Sequence, residues 1–140
     1  MLECLVYISV ASNRLDLTGQ AALIAEEAES YNLEHGISGA LAVHEGHFVH
    51  TLEGDPTALD QLLKRLEDDP RHHDLVLVDR WPIEQRLFAG WFVAGVAMDK
   101  AIRAEVEALI ANPTLSPRGL AASMRSRAIP LRRAFSAAAE

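Results

Sequence analysis

The 140-residue sequence has one cysteine, Cys4, so no disulfide bond can form within the chain. No apolar run approaches the ~18 residues that a membrane span requires. The first ten residues lack the basic region and the small-residue cleavage site of a secretory signal. We therefore expect a cytoplasmic protein with no membrane partner, large enough for about one domain.

Three signatures of catalysis or nucleotide binding are also missing. The sequence contains no G-x-S-x-G, no G-x-G-x-x-G and no G-K-[ST], and its cysteine lies inside a predicted strand. These absences argue against a nucleophilic hydrolase and against a phosphate-binding loop. Other enzyme classes stay open at this point of the sequence.

Positive charge is scarce and unevenly placed. The chain has 13 Lys and Arg against 20 Asp and Glu, a net charge of −7, yet the residues from 101 onward carry +3. An acidic body argues against nucleic acid as a partner. The asymmetry predicts two units, a globular domain over residues 1–98 and a basic helical extension over residues 99–140.

Short apolar stretches predict five strands, at residues 2–9, 37–43, 47–52, 74–81 and 88–96. Helical periodicity predicts one helix after the first strand and another after Asp55, a residue suited to an N-cap. The order β-α-β-β-α-β-β is the ferredoxin-like arrangement, an α+β fold with two helices on one face of a mixed five-stranded sheet. Further helices are predicted in the C-terminal extension, where they would cover the bare sheet face or bind a partner.

The stretch "HEGHFVHTLEG" carries three histidines spaced three apart, which first suggests a metal site. On a strand, His47 and His50 point to opposite faces, while His44 sits at the predicted turn. No acid or cysteine cluster completes a ligand set, so no metal site is predicted.

A polar cluster between the predicted helices is the stronger candidate. His50 shares a strand face with Phe48 and Leu52, and Tyr7 and Asn32 can approach it from the first strand and the first helix. Polar groups converging in an apolar pocket are typical of a small-molecule site. The alternative is that Tyr7, Asn32 and His50 satisfy only one another.

Residues 2–96 resemble BLUF domains, the blue-light sensors that use flavin. The resemblance rests on "YNLEHGISGAL", "EGHFVHTLEGDP", "LLKRLEDDPRHHDLVL" and "RLFAGWFVAG" in this order and spacing. It implies FAD or another flavin held between the two helices, and a light signal carried by rearranged hydrogen bonds. It also implies a homodimer or higher oligomer and an unidentified downstream protein as partners.

The resemblance assigns roles to single residues. Tyr7 matches the tyrosine that gives an electron and a proton to the excited flavin, Asn32 matches the asparagine at the polar edge of the ring, and Trp91 matches a tryptophan near the flavin. Three apolar residues would line the ring: Ile37, Phe48 and Leu52. Four polar residues would lie near the ribityl and phosphate side: Arg65, Asp69, Arg71 and His72.

The sequence departs from the family at His50, where the family carries a glutamine that bridges the tyrosine and flavin N5. Val93 also replaces a frequent methionine. A neutral imidazole offers one donor and one acceptor, so it can bridge the same two groups, but it lacks the amide carbonyl. Three possibilities follow: an altered light response, a light-insensitive flavin protein, and a flavin-free module of the same fold.

Overall fold

The computed structural model describes residues 1–12 and 17–134, and for residues 17–25 it describes the backbone alone. The elements follow the order β1 (Leu2–Ala11), α1 (Leu17–His35), β2 (Ser38–His44), β3 (His47–Gly54), α2 (Pro56–Glu67), β4 (His72–Ile83), β5 (Ala94–Val96), α3 (Lys100–Ala111), α4 (Arg118–Ser126) and β6 (Ala128–Pro130).

The strands form one mixed sheet in the order β4-β1-β3-β2-β5-β6. β2 and β5 run parallel, and the other neighbouring strands are antiparallel. The predicted α+β, ferredoxin-like fold is confirmed, but the described sheet has six strands instead of five.

The sixth strand is a C-terminal segment that the sequence places within an interrupted helix. Ala128, Ile129 and Pro130 pair with β5 and extend the sheet by one strand. Proline has no N–H to donate, which an edge position tolerates. β5 itself is shorter than the predicted strand over residues 88–96, because only Ala94–Val96 are extended and paired.

Alternation along β1 divides the interior into two layers. Leu5 and Tyr7 pack towards α2, while Cys4, Val6 and Ile8 face the opposite side, where α3 and α4 cover the sheet. Each face of a strand carries every second side chain, so one apolar strand serves both layers. Burial raises the pKa of the Cys4 thiol to about 12, with a smaller contribution from Glu53.

The local signals near the site are confirmed. Glu45 and Gly46 form the β2–β3 turn with φ of 48° and 79°, the pair of positive values that a two-residue hairpin requires. Asp55 caps α2 by accepting a hydrogen bond from the backbone N–H of Thr57 at 3.1 Å, and Pro56 begins the helix.

Glu53 at the end of β3 holds the loop between β4 and β5. Its fully buried carboxylate accepts hydrogen bonds from the backbone N–H groups of Leu87 (2.9 Å) and Phe88 (2.6 Å) and from the Ser38 hydroxyl (2.9 Å). Arg86 donates to the Ser38 oxygen at 2.8 Å. These bonds turn the loop away from the strand geometry that its apolar sequence favours.

We expect Glu53→Gln to lower the free energy of unfolding by about 2–3 kcal/mol. A carboxamide has one acceptor oxygen where the carboxylate has two, so its NH₂ group faces buried N–H donors. Urea unfolding at pH 7 measures the loss. Glu84→Gln, at an exposed position of the same loop, is the matched control and should change stability by less than about 0.5 kcal/mol. Equal stability of the two variants would contradict the anchoring role.

In the part of the chain that the structure describes, no helix combines the length and apolarity needed to cross a membrane.

Candidate functional site

Tyr7 and His50 form the centre of the candidate site. The antiparallel register of β1 and β3 places them directly opposite each other, and the phenol oxygen lies 2.8 Å from His50 Nδ1. Only 3% of the Tyr7 surface and 7% of the His50 surface are exposed. A hydrogen bond shielded from water in this way orients both rings.

The two nitrogens of His50 have different surroundings. Among the residues that the structure describes, Nδ1 is the only acceptor for the Tyr7 hydroxyl, and an imidazole that accepts at Nδ1 carries its proton on Nε2. Nε2 is also the one buried side-chain nitrogen or oxygen of those residues without a hydrogen-bond partner. An unpaired buried donor costs about 1–3 kcal/mol. The geometry therefore indicates a ligand with an acceptor atom at Nε2.

Burial keeps both members of the pair uncharged. It lowers the pKa of His50 to about 3, with a smaller contribution from His72. It also raises the pKa of the Tyr7 phenol well above its usual value, with a smaller contribution from Asp69. At neutral pH the phenol therefore keeps its proton and the imidazole is neutral. Because Nδ1 accepts from Tyr7, the single imidazole proton is assigned to Nε2.

His72 lies on the other side of Tyr7. Its ring centre is 6.1 Å from that of Tyr7 and 6.4 Å from that of Phe48. Its Nε2–H donates to the backbone oxygen of Leu66 at 2.6 Å, and Nδ1 accepts from the Ser9 hydroxyl at 2.7 Å. Both nitrogens are used, so His72 contributes a ring surface to the site. Ser9 was not among the predicted site residues, although it shares the β1 face of Tyr7.

Asp69 and Arg71 form a bidentate ion pair just after the C-terminal end of α2. Arg71 Nη2 lies 2.7 Å from Asp69 Oδ2, and Arg71 Nη1 lies 3.0 Å from Glu27 Oε2. Burial alone would raise the pKa of Asp69, but hydrogen bonds and charge from Arg71 outweigh it and hold the pKa below its usual value. The positive charge of Arg71 is already matched by two carboxylates.

Arg65 faces a cleft between α1 and α2. Its guanidinium carbon lies 4.6 Å from the centre of the Tyr31 ring, a cation–π distance. The cleft has a volume of about 400 Å³ and is lined by Glu26, Glu27, Ser30, Tyr31, Glu34 and Arg65. Arg65 and Arg71 therefore lie in a region where acidic side chains outnumber basic ones.

Asn32 is buried near the end of α1. Its Nδ2 donates to the backbone oxygen of Phe92 at 2.7 Å, and its own backbone oxygen accepts from Ile37 N–H at 2.9 Å. In the described residues no hydrogen bond joins Asn32 to Tyr7 or His50. The alternative in which the three polar groups satisfy only one another therefore does not describe this arrangement.

The apolar candidates fall into three places. Ile37 and Leu52 pack beside Tyr7, whereas Phe48 packs with Leu41 and Val93. Trp91 is half-buried against the layer under α3 and α4, on the sheet face opposite Tyr7. The structure therefore brings Ile37, Leu52 and Phe48 to the face of the Tyr7–His50 pair but does not bring Trp91 there.

The three histidines of the hairpin have three separate partners. His44 Nε2 lies 3.0 Å from Glu107 Oε1 on the surface, and His47 Nδ1–H donates to the backbone oxygen of Glu45 at 3.2 Å. Only His50 points to the face of Tyr7. The spacing of three residues thus places the three imidazoles at separate positions and not around one common site.

Sequence comparison identifies the protein family of residues 2–94. These residues match the family described as "Sensors of blue-light using FAD". The chain is 39% identical over 94 residues to photoactivated adenylate cyclase subunit beta of Euglena longa, which covers 64% of this chain and 10% of that protein. It is 38% identical over 90 residues to the corresponding subunit of Euglena gracilis, covering 62% and 10%. The chain thus spans about a tenth of the length of these relatives.

Solved structures share the architecture. The dark state of BlrB, a BLUF protein, is 30% identical and superposes with a TM-score of 0.69 over 97% of this chain and 96% of that one. The photo-activated state of BlsA, at 22% identity, has a TM-score of 0.76 over 91% and 94% and supports the fold alone. The sequence match over residues 2–94 and the ferredoxin-like sheet agree, and the chain belongs to the BLUF family of FAD-binding blue-light sensors.

Proposed function

We propose that this protein binds a flavin beside the Tyr7–His50 pair and answers blue light by moving protons through the imidazole of His50. The observation that carries the proposal is the buried Nε2 of His50, which has no hydrogen-bond partner among the described residues. Flavin is the cofactor of the family, and its ring system offers nitrogen and carbonyl acceptors. The residues at the site therefore fit the group.

A bound flavin would supply the light absorption and, when excited, a site that takes up an electron. Tyr7 is the redox-active side chain that contacts His50 directly. Loss of an electron makes a phenol a strong acid, so the Tyr7 proton transfers to His50 Nδ1 across the 2.8 Å contact. The Nε2 proton would then pass to the bound group that had taken the Tyr7 electron, which leaves the imidazole neutral with its proton on Nδ1.

This proton relay replaces the amide rearrangement that the resemblance implies. A glutamine can exchange donor and acceptor by turning its carboxamide, whereas an imidazole exchanges them by changing tautomer without moving its ring. The lowered pKa of His50 supports this role, because a neutral ring is required before the first proton arrives. We expect the Nδ1–H tautomer of His50 to exist only while Tyr7 lacks its electron and proton. Return of the electron and of both protons along the same path restores the Nε2–H tautomer.

The remaining contacts of the cofactor are proposed for residues on the same face. Ile37, Leu52 and Phe48 supply apolar ring contacts, and Asn32 supplies an amide at the polar edge. For the ribityl and phosphate side we propose a group of four polar residues, Arg65, Asp69, Arg71 and His72. Trp91 takes part only if its side chain moves to the opposite face of the sheet.

The proposed role is that of a sensor and not of an enzyme. We propose that residues 1–98 hold the flavin and that residues 99–140 form the extension that transmits the signal. A homodimer or higher oligomer and a separate downstream protein are the proposed partners, with no nucleic acid or membrane. We also propose that the protein is located in the cytoplasm.

The visible spectrum of the protein purified in darkness tests this function. We expect flavin bands that change under blue light and recover in darkness. Flavin bands that blue light leaves unchanged would identify a light-insensitive flavin protein. A colourless protein that cannot be reconstituted with FAD, FMN or riboflavin would contradict flavin binding altogether.

A further inference from the structure

The C-terminal segment crosses from one face of the sheet to the other. α4 packs on the face of Cys4 and Val6, and β6 then forms the sheet edge next to β5. The following residue, Leu131, is 2% exposed and packs on the opposite face with Leu41, Phe48 and Val93. The segment thus enters the layer that contains the Tyr7–His50 pair.

This segment also contacts α1. Ala28 of α1 packs against the cluster that contains Leu131, and Arg132 Nη2 lies 2.9 Å from Glu26 Oε1 on the same helix. Tyr31, three residues further along the same helix face, packs against the cluster that contains Tyr7. α1 therefore contacts both the core around Tyr7 and the C-terminal segment.

Gly95 in β5 leaves room for the C-terminal segment. A Cβ placed on Gly95 would clash with Ala134 Cβ and lie 3.1 Å from Leu131 Cα, so the C-terminal segment would have to move. Gly95 does not have the positive φ that favours glycine. Its missing side chain is explained by the close approach of residues 131–134.

The contacts of Leu131 lie next to His50. Leu41 is directly opposite His50 in the β2–β3 register, and Phe48 lies two residues before His50 on the same face of β3. The packing that Leu131 completes therefore adjoins His50. The family match ends at residue 94, so Leu131 lies outside the matched residues while its contacts lie within them.

We propose that residues 128–134 form a clasp that holds α1 on the sheet and closes the layer in which the Tyr7–His50 pair lies. Leu131 is its buried anchor, and the Arg132–Glu26 ion pair joins it to the helix. Anything that binds between α1 and His50 is then linked to the clasp, and this coupling is reciprocal. The link to flavin rests on the proposed function, whereas the support of α1 does not.

Hydrogen–deuterium exchange of the full chain without flavin tests the clasp. We expect Gly95→Ala to displace residues 128–134 and to speed amide exchange in α1, residues 26–35, by about tenfold. Gly119→Ala is the matched control, because a Cβ there meets no atom within 4 Å, and its exchange should equal that of the wild type. If Gly95→Ala fails to fold, Leu131→Ala replaces it with the same expected result. Unchanged exchange in α1 with a displaced segment would overturn the proposal.

The flavin-loaded protein provides a second measurement. We expect flavin to dissociate about tenfold faster from Gly95→Ala than from Gly119→Ala, a difference set by the looser helix. Equal dissociation rates would overturn the link between clasp and ligand. If the wild type binds no flavin, the proposed function fails, while the exchange of α1 still decides whether the clasp exists.

Discussion

Replacing Tyr7 with phenylalanine is expected to lower the yield of the light-induced spectral change by about 100-fold or more. The phenyl ring keeps the packing beside Leu5 and Leu52 but has no O–H to give to His50 Nδ1. The relay then lacks its first proton and its electron donor. Absorption difference spectra after blue illumination measure the yield.

Tyr31→Phe is the matched control, because Tyr7 and Tyr31 are the only tyrosines in the chain. Tyr31 stacks on His35 with ring centres 3.9 Å apart, a contact that phenylalanine preserves. This variant should keep the light response. A full response in Tyr7→Phe, with flavin bound as in the wild type, would show that another group supplies the proton.

His50→Gln is expected to remove a large acid sensitivity of folding. Burial lowers the pKa of His50 from 6.5 to about 3, so below pH 6.5 the unfolded chain binds a proton that the folded chain excludes. Stability therefore falls as pH drops from about 6.5 towards 3. Between pH 7 and pH 5 the wild type should lose about 2 kcal/mol of unfolding free energy through this group, a loss absent from His50→Gln.

Urea unfolding of both proteins at pH 7 and pH 5 measures the difference, with other titrating groups common to the two. His73→Gln is the control, because His73 is exposed, and it should keep the pH dependence of the wild type. The same His50→Gln protein loaded with flavin should shift its bands to the red under light, as the resemblance implies for glutamine. An identical pH dependence in His50→Gln and wild type would show that His50 is not buried in its neutral form.

The departure at His50 and the packing around it belong together. An imidazole on a strand cannot swing its donor and acceptor as a carboxamide can, and here Tyr7 fixes it from one side. Leu41 and Phe48 adjoin it on the same face, and Leu131 covers them from the C-terminal segment. A fixed ring in a closed layer suits a change of tautomer, which needs protons to move while heavy atoms stay in place.

Part of the site follows from local pattern. Alternation on β1 and β3 puts Tyr7 on one face with Leu5, and His50 on one face with Phe48 and Leu52. The Asp55 cap and the Glu45–Gly46 turn are equally local, since each depends on the chemistry of two or three neighbouring residues. These features could be predicted because the backbone geometry of a strand, a cap or a turn acts over a few residues.

Other features depended on partners distant in sequence. Residues 88–93 are apolar and resemble a strand, yet they begin in a loop where the backbone N–H groups of Leu87 and Phe88 donate to Glu53, some 35 residues earlier. Trp91 packs on the face away from Tyr7. Pro130 predicted a break in a helix, whereas residues 128–130 form a strand that pairs with the edge of β5. In both segments, hydrogen-bond partners distant in sequence decided the backbone conformation. Local propensity cannot predict such partners.

By itself, the sequence determined the family, the ferredoxin-like order of elements and the faces of β1 and β3, because periodicity and spacing are properties of the chain. Only the tertiary structure decided which nitrogen of His50 meets Tyr7, which one lacks a partner, and that Leu131 reaches the same layer. Those facts depend on strand register and on the path of residues 127–134 around the sheet edge. Strand register and chain path depend on tertiary contacts throughout the fold, and those contacts form only when the chain folds.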